Sequence, residues 1–178
     1  MKKLLALGLL SSLVACSGAG GGASSASATS MAPADESSNV SDFTLTDIDG
    51  KSVSLSDHLG KKAIVLDFWA TWCKPCIAEM AHMQKVYEEK KDQGLVILAI
   101  SMDGSETEAQ VAPTAKSKGW TFPVLLDSET RATSLYNPRR AAPYTVIIDR
   151  HGKIIRKREG FNPGDEVEMM KDIEAAMK

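Results

Sequence analysis

The chain is poor in the residues that would build a stapled or metal-bound fold. Of its 178 residues only three are cysteine (Cys16, Cys73 and Cys76) and three are histidine (His58, His82 and His151). Three cysteines cannot make the multi-bridge framework of a small secreted domain, and one close pair with scattered histidines supplies too few ligands for a structural zinc site. Haem attachment would need a histidine directly after Cys76, where Ile77 stands. Strong charge is missing too. The net charge is −2, and no basic stripe or aromatic-interleaved lysine run points to a nucleic-acid partner. The N-terminal apolar run LLALGLLSSLVA, Leu4 to Ala15, is too short for a spanning helix. What is present, 43% hydrophobic and 25% charged residues, suits one soluble domain with an ordinary core.

The basic MKK and the apolar run after it form a targeting segment. The run ends in LVAC, Leu13 to Cys16, which resembles the lipobox of bacterial lipoproteins. That resemblance implies a signal peptide over 1–15, cleavage before Cys16 and lipidation of Cys16. An ordinary signal peptide with an incidental cysteine is the competing reading. Several acyl chains on one residue would anchor the protein stably where one would not. Ser17 follows the cysteine, a position where aspartate usually means inner-membrane retention in Gram-negative bacteria, so it leans to the outer membrane. Residues 16–38 are dominated by Gly, Ala and Ser and read as a flexible, lipid-anchored linker. The folded domain is then 39–178, facing the periplasm or another extracytoplasmic space. With Cys16 lipidated, it holds one Cys-x-x-Cys pair, which in an exported protein reads as redox chemistry more than as a staple.

Along that domain, FTLTDIDGKSVSLSDHLG alternates around Asp49-Gly50 as a β-hairpin does. Ala63 to Trp69 is a continuous apolar run suited to a central strand. Pro75 to about Lys91 is helical, with Cys76, Met80, Met83 and Tyr87 in one stripe and Glu79, His82 and Glu89 off it. LVILAI is the next strand. A helix over about Glu106 to Ser117, the short strand FPVLLD, and a helix over Glu129 to Tyr136 follow. YTVIID and KIIRKRE form a hairpin, and an amphipathic helix runs from about Asp165 to Met177. Strands alternating with helices, then a closing hairpin and helix, indicate an α/β fold with a mixed sheet.

FWATWCKPC, Phe68 to Cys76, joins a strand to a helix through a Trp-Cys junction with proline inside the first turn. The motif resembles the thioredoxin superfamily, and within it the TlpA-like, membrane-tethered, extracytoplasmic branch. The resemblance spans nearly all of 39–178. It implies a thioredoxin-like fold with an N-terminal β-hairpin and a helical insertion, thiol-disulfide oxidoreductase activity with reduction the favoured direction, and no cofactor. Disulfide-bearing envelope proteins would be the substrates and a membrane thiol-disulfide system the electron donor, with cytochrome c biogenesis one setting. The physical reading agrees. Cys73 sits just before the helix, where unpaired N–H groups and the dipole favour a thiolate, and Lys74 adds an exposed positive charge. Cys76 lies a turn further in on the apolar stripe. Cys73 is therefore the more exposed, attacking thiol and Cys76 the resolving one.

Asp67 is the odd residue in the apolar run. In a strand it shares a face with Val65 and Trp69, where the Cys76 helix would pack. Burial would raise its pKa and let it exchange protons near neutrality. Thioredoxins place an aspartate here as proton acceptor for the resolving cysteine, whereas TlpA-like proteins more often have asparagine. The lysine that thioredoxins carry on the neighbouring strand is absent from LVILAI. The competing reading pairs Asp67 with Lys62 at a strand edge. Glu79 completes Cys-x-x-Cys-x-x-Glu, shared with TlpA-like proteins and often used near the thiols; a solvated helix face is its other reading.

Pro143 in AAPYT matches the family's cis-proline opposite the cysteines, in competition with Pro138. The family pairs the backbone of the preceding residue, here Ala142, with the bound peptide as an added strand. Tyr144 departs from the threonine common after that proline. Trp72 adjoins Cys73 and is expected to shield it, and the three histidines are expected to face solvent. Two other functions remain on the same fold. A peroxiredoxin-like antioxidant would carry Pro-x-x-x-Thr/Ser-x-x-Cys, but Leu66 and Ala70 stand at those places. A Cu(I) chaperone would use both thiolates, ordinarily with wider cysteine spacing and a histidine.

Overall fold

The computed structural model describes residues 40–178; the signal segment, Cys16 and the whole 16–38 linker lie outside the described residues. Seven strands form one sheet: β1 (Thr44–Asp47), β2 (Ser52–Ser54), β3 (Ala63–Trp69), β4 (Leu95–Ser101), β5 (Val124–Leu126), β6 (Tyr144–Ile148) and β7 (Ile154–Glu159). Four helices accompany them: α1 (Lys74–Lys90), α2 (Val111–Lys118), α3 (Arg131–Tyr136) and α4 (Asp165–Ala176). The spatial order is β2-β1-β5-β4-β3-β6-β7, with β3, β4 and β5 parallel and the remaining pairings antiparallel. This is the thioredoxin-like mixed sheet expected from the sequence.

The two central strands are buried along their whole length, which is why AIVLDFW and LVILAIS read as unbroken apolar runs. Alternation divides β3 between two cores. Ala63, Val65 and Trp69 pack with α1, α2 and α4, through Met80 and Met83, Val111 and Ala115, and Met169 and Ile173. Ile64, Leu66 and Phe68 pack on the opposite face with Leu98, Ile100 and α3. The expected hairpin is present, with Gly50 at φ +83°, a conformation that favours glycine. The Asp47 carboxylate braces its turn, accepting from the N–H groups of Asp49 and Lys51.

Two helices are shorter than the periodicity predicts. The insertion opens as a 3-10 turn at Glu108–Gln110, and α2 covers only Val111–Lys118, capped by Gly119 at φ +68°. The helix expected from Glu129 begins at Arg131. Thr130 lies in the left-handed region, and the N–H groups of Ala132 and Thr133 go to the buried carboxylate of Asp127. The sheet ends at β7, whose Arg156 and Arg158 both reach Asp172 of α4.

Leu98 is fully buried in β4 on the face away from the cysteines. Leu98→Ala should lower the unfolding free energy in urea by about 2–5 kcal/mol. A loss below about 1 kcal/mol would mean that this layer is not the packed core described.

Candidate functional site: the Cys73–Cys76 pair

β3 delivers the chain at Trp69 into a tight loop. The Cys73 N–H bonds the Ala70 carbonyl at 3.0 Å, and α1 starts at the next residue. Cys73 is the N-cap, its backbone extended (φ −89°, ψ 95°), and its Sγ accepts the Cys76 N–H at 3.2 Å. Pro75 falls in the first turn, where no N–H is required. Cys73 and Cys76 form a disulfide with Cα atoms 5.3 Å apart. In this oxidised state both are buried, Cys73 at 4% exposure and Cys76 at 0%, so the expected contrast in exposure is slight. Trp72 corrects the sequence reading: at 64% exposure it presents its indole to solvent beside the disulfide instead of covering it.

Asp67 lies on the α1 side of the sheet, fully buried, and neither of its oxygens has a hydrogen-bond partner among the described residues. The strand-edge pairing with Lys62 is thereby overturned, since β3 is flanked by β4 on one side and β6 on the other. Glu79 is also buried, at 2% exposure, so the solvated-face reading fails as well. Its Oε1 accepts from the Thr145 hydroxyl at 2.9 Å, while Oε2 is buried without a partner among the described residues. Thr145 is the β6 residue paired with Asp67, so the two acids share one neighbourhood. Burial, and secondarily the Glu79 charge, push the Asp67 carboxyl well above the usual aspartate range. Burial pushes Glu79 up to about 7, against the pull of the Thr145 hydrogen bond and the Arg158 charge.

The Ala142–Pro143 bond is cis, which settles the assignment in favour of Pro143 over Pro138. Tyr144 pairs with Phe68 across the sheet, which sets Pro143 at the end of the sheet where β3 leads to Cys73. Neither the N–H nor the carbonyl of Ala142 bonds another described residue. The preceding residue is held by a feature the sequence reading missed. The buried Asn137 side chain bonds Ala141 at both ends, accepting its N–H at 3.0 Å and donating to its carbonyl at 2.8 Å. Asp103 was missed as well. It is buried just past β4 and accepts from the Thr71 N–H and hydroxyl in the cysteine loop. Its only sequence signal is a lone acid closing the apolar run LVILAISM. The histidines are remote: His151 is exposed, while His58 and His82 are half-buried, His82 with its ring centroid 5.7 Å from that of Phe161.

Residues 37–157 match the family model described as the AhpC/TSA family. Among curated proteins, the chain is 36% identical over 126 residues to the thiol-disulfide oxidoreductase ResA of Bacillus cereus, covering 71% of this chain and 70% of the relative. It is 37% identical over 131 residues to the ResA of Geobacillus kaustophilus, covering 74% and 73%. Two solved structures are also similar. One, from Chlorobium tepidum, is described as a candidate thiol:disulfide interchange protein DsbE, with a TM-score of 0.70, 30% identity and coverage of 78% of this chain and 94% of that one. The other is the exposed lipoprotein thioredoxin Etrx1 of Streptococcus pneumoniae, with a TM-score of 0.64, 28% identity and coverage of 76% and 99%.

An acid with a higher pKa in the folded than in the unfolded chain holds its proton more tightly when folded. The fold therefore loses stability as pH rises from 4.5, the ordinary glutamate value, through about 7. The urea midpoint of the oxidised protein should fall across that window, and Glu79→Gln should flatten the fall. A pH-independent wild-type midpoint there would mean that Glu79 ionises as it does in water.

Proposed function

The chain belongs to the AhpC/TSA family of the thioredoxin superfamily and is a thiol-disulfide oxidoreductase; from that premise we propose that it is a lipid-anchored reductase of envelope-protein disulfides. The observation that carries this reading is the disulfide at the N-terminus of α1, the helix that also bears the buried Glu79, with the cis-proline at the same end of the sheet. Attack belongs to Cys73. Its sulfur receives the Cys76 N–H and faces the positive end of the helix dipole, so its thiolate is the stabilised one. The substrate would lie in extended form along Ala142, one of its disulfide sulfurs bonding Cys73 while the other leaves as a thiol. The exposed Trp72 and the cis-proline loop border the position it would take.

Resolution requires Cys76 to lose a proton in an apolar setting. Asp67, with Glu79 beside it, is the acceptor in this reading. A carboxyl raised toward the thiol range exchanges a proton with a thiol at little cost, which a carboxylate in water does not. The Cys76 thiolate then displaces the substrate, leaving the substrate with two thiols and this protein with its disulfide. A membrane thiol-disulfide donor returns the two electrons. Reduction rather than oxidation is the direction that the likeness to the TlpA-like branch supports.

Anchoring at Cys16 is supported by the LVAC motif and by the likeness to an exposed lipoprotein thioredoxin. Among the described residues no helix is long and apolar enough to cross a membrane. The 16–38 linker would let the domain 39–178 work away from the lipid surface, in the extracytoplasmic envelope.

Two experiments test the reading. Cys76→Ala should keep attack and lose resolution, accumulating covalent complexes visible on non-reducing gels, while Cys73→Ala should give few or none. Mass spectrometry of the trapped bands would identify the substrates, and the opposite trapping pattern would reverse the roles. Thiol trapping of the wild type in cells should find the pair mostly reduced; a mostly oxidised pair would make the protein an oxidase. Separately, Cys16→Ala should leave an uncleaved or mislocalised protein, and a variant that still matured and stayed with membranes in high salt would remove the anchor from Cys16.

A further inference from the structure

We infer that Asp103 is a positioning residue for the redox loop, holding Cys73 at the helix N-terminus through Thr71. Asp103 is 1% exposed and lies two residues beyond the end of β4, whose last residue, Ser101, is in register with Trp69, the last of β3. Its Oδ2 accepts from the Thr71 N–H at 2.9 Å and from the Ser101 hydroxyl at 2.9 Å. Its Oδ1 accepts from the Thr71 hydroxyl at 2.5 Å. The Ser101 oxygen in turn accepts the Asp103 N–H at 3.2 Å, and the Met102 N–H donates to the Trp69 carbonyl at 2.8 Å. The loop leading to Cys73 is thus fastened to a central strand at Trp69 and again at Thr71.

The fastening matters most when the disulfide is open. In the oxidised protein the bond to Cys76 itself keeps Cys73 at the helix end. On reduction that covalent tie is gone, and the Thr71–Asp103 contact becomes the side-chain hold on the loop, beside the backbone bonds at Trp69, Ala70 and Cys73. Stabilisation of a thiolate by a helix terminus fades within the first turn, so a small displacement of Cys73 forfeits it. A buried carboxylate is costly to keep, and here its acceptors are filled almost wholly by this one loop and the strand end beneath it.

Positioning and through-space charge predict opposite signs. Removing a nearby negative charge favours a thiolate and lowers its pKa. Removing an anchor moves the thiolate away from the helix end and raises it. Asp103→Asn separates the two. The amide oxygen can accept from the Thr71 N–H and Ser101, and the amide nitrogen can donate to the Thr71 hydroxyl, which turns to accept. The hold survives while the charge does not.

The test is the pH profile of Cys73 alkylation by iodoacetamide in the reduced full-length protein, read by peptide mass. Asp103→Ala should raise the apparent pKa of Cys73 by about one unit toward the free-cysteine value of about 8.5, and slow alkylation at neutral pH by up to about tenfold. Asp103→Asn should keep the wild-type profile, and Thr71→Val should give a smaller rise. An unchanged profile in Asp103→Ala, with only a lower thermal midpoint, would reduce Asp103 to a stabilising residue. A lowered pKa in both Asp103 variants would show that its charge, not its hold, acts on Cys73. If Asp103→Ala does not fold, Thr71→Val decides, and a wild-type profile there overturns the inference. The inference rests on Cys73 being the attacking thiol and on nothing else in the proposed function. An unreactive Cys73 in the wild type would sink that assignment, whereas wild-type behaviour in the variants would sink only this one.

Discussion

The register of β3 between β4 and β6 sets every other distance in the site. Trp69 opposite Ser101 brings the end of β4 under the cysteine loop, within reach of Thr71. Thr145, opposite Asp67, puts a hydroxyl where it can donate to Glu79 of α1. Phe68 opposite Tyr144 carries the cis-proline to the same end of the sheet. Because side chains alternate along a strand, a slip of one residue would turn Asp67 to the far core and Phe68 toward α1. Seven buried residues on each of β3 and β4 make such a slip prohibitive.

Two acids buried together are a standing cost to that framework. Each is desolvated, each disfavours the other's charge, and together they leave three carboxyl oxygens without partners among the described residues. A fold chosen for stability alone would place apolar residues there. In the function proposed above the two acids serve as the base that a thiol about to ionise needs, one whose affinity for protons resembles its own.

Most of the frame is legible in the amino-acid sequence. Ala63–Trp69 announces a central strand by being apolar without alternation, and Trp-Cys-Lys-Pro-Cys announces the helix start, because proline and an N-cap sulfur both belong there. Glu79 is misplaced for an instructive reason. It stands three residues after Cys76 and four before Met83, so spacing alone puts it in the buried stripe, and only its charge argues for the surface. What tolerates it, Thr145 and Arg158, comes from strands that follow it by more than sixty residues, and no local pattern reports such a meeting. Asp103 is silent because its partner Thr71 lies in another loop, and an isolated polar residue after a strand ordinarily reads as a turn; Asn137 is bonded locally, to Ala141, but a lone asparagine at a helix end ordinarily reads as a cap. Trp72 fails in the other direction, since an aromatic beside a reactive cysteine reads as cover when its neighbours leave it in water.

The outer strand β7 bears on how such a molecule behaves in company. Its sequence, IIRKRE, alternates little and carries Arg156, Lys157 and Arg158 in a row along an edge that has open backbone groups to offer. Molecules confined to a lipid surface meet far more often than molecules free in volume, and an open edge strand is the natural place for two copies to zip together. Two β7 strands brought edge to edge would bring two basic rows together, which costs more for Lys157 than for the arginines already paired with Asp172. In the function proposed above a foreign strand is taken up at Ala142, and the basic row on β7 disfavours the same kind of pairing with a second copy at that edge.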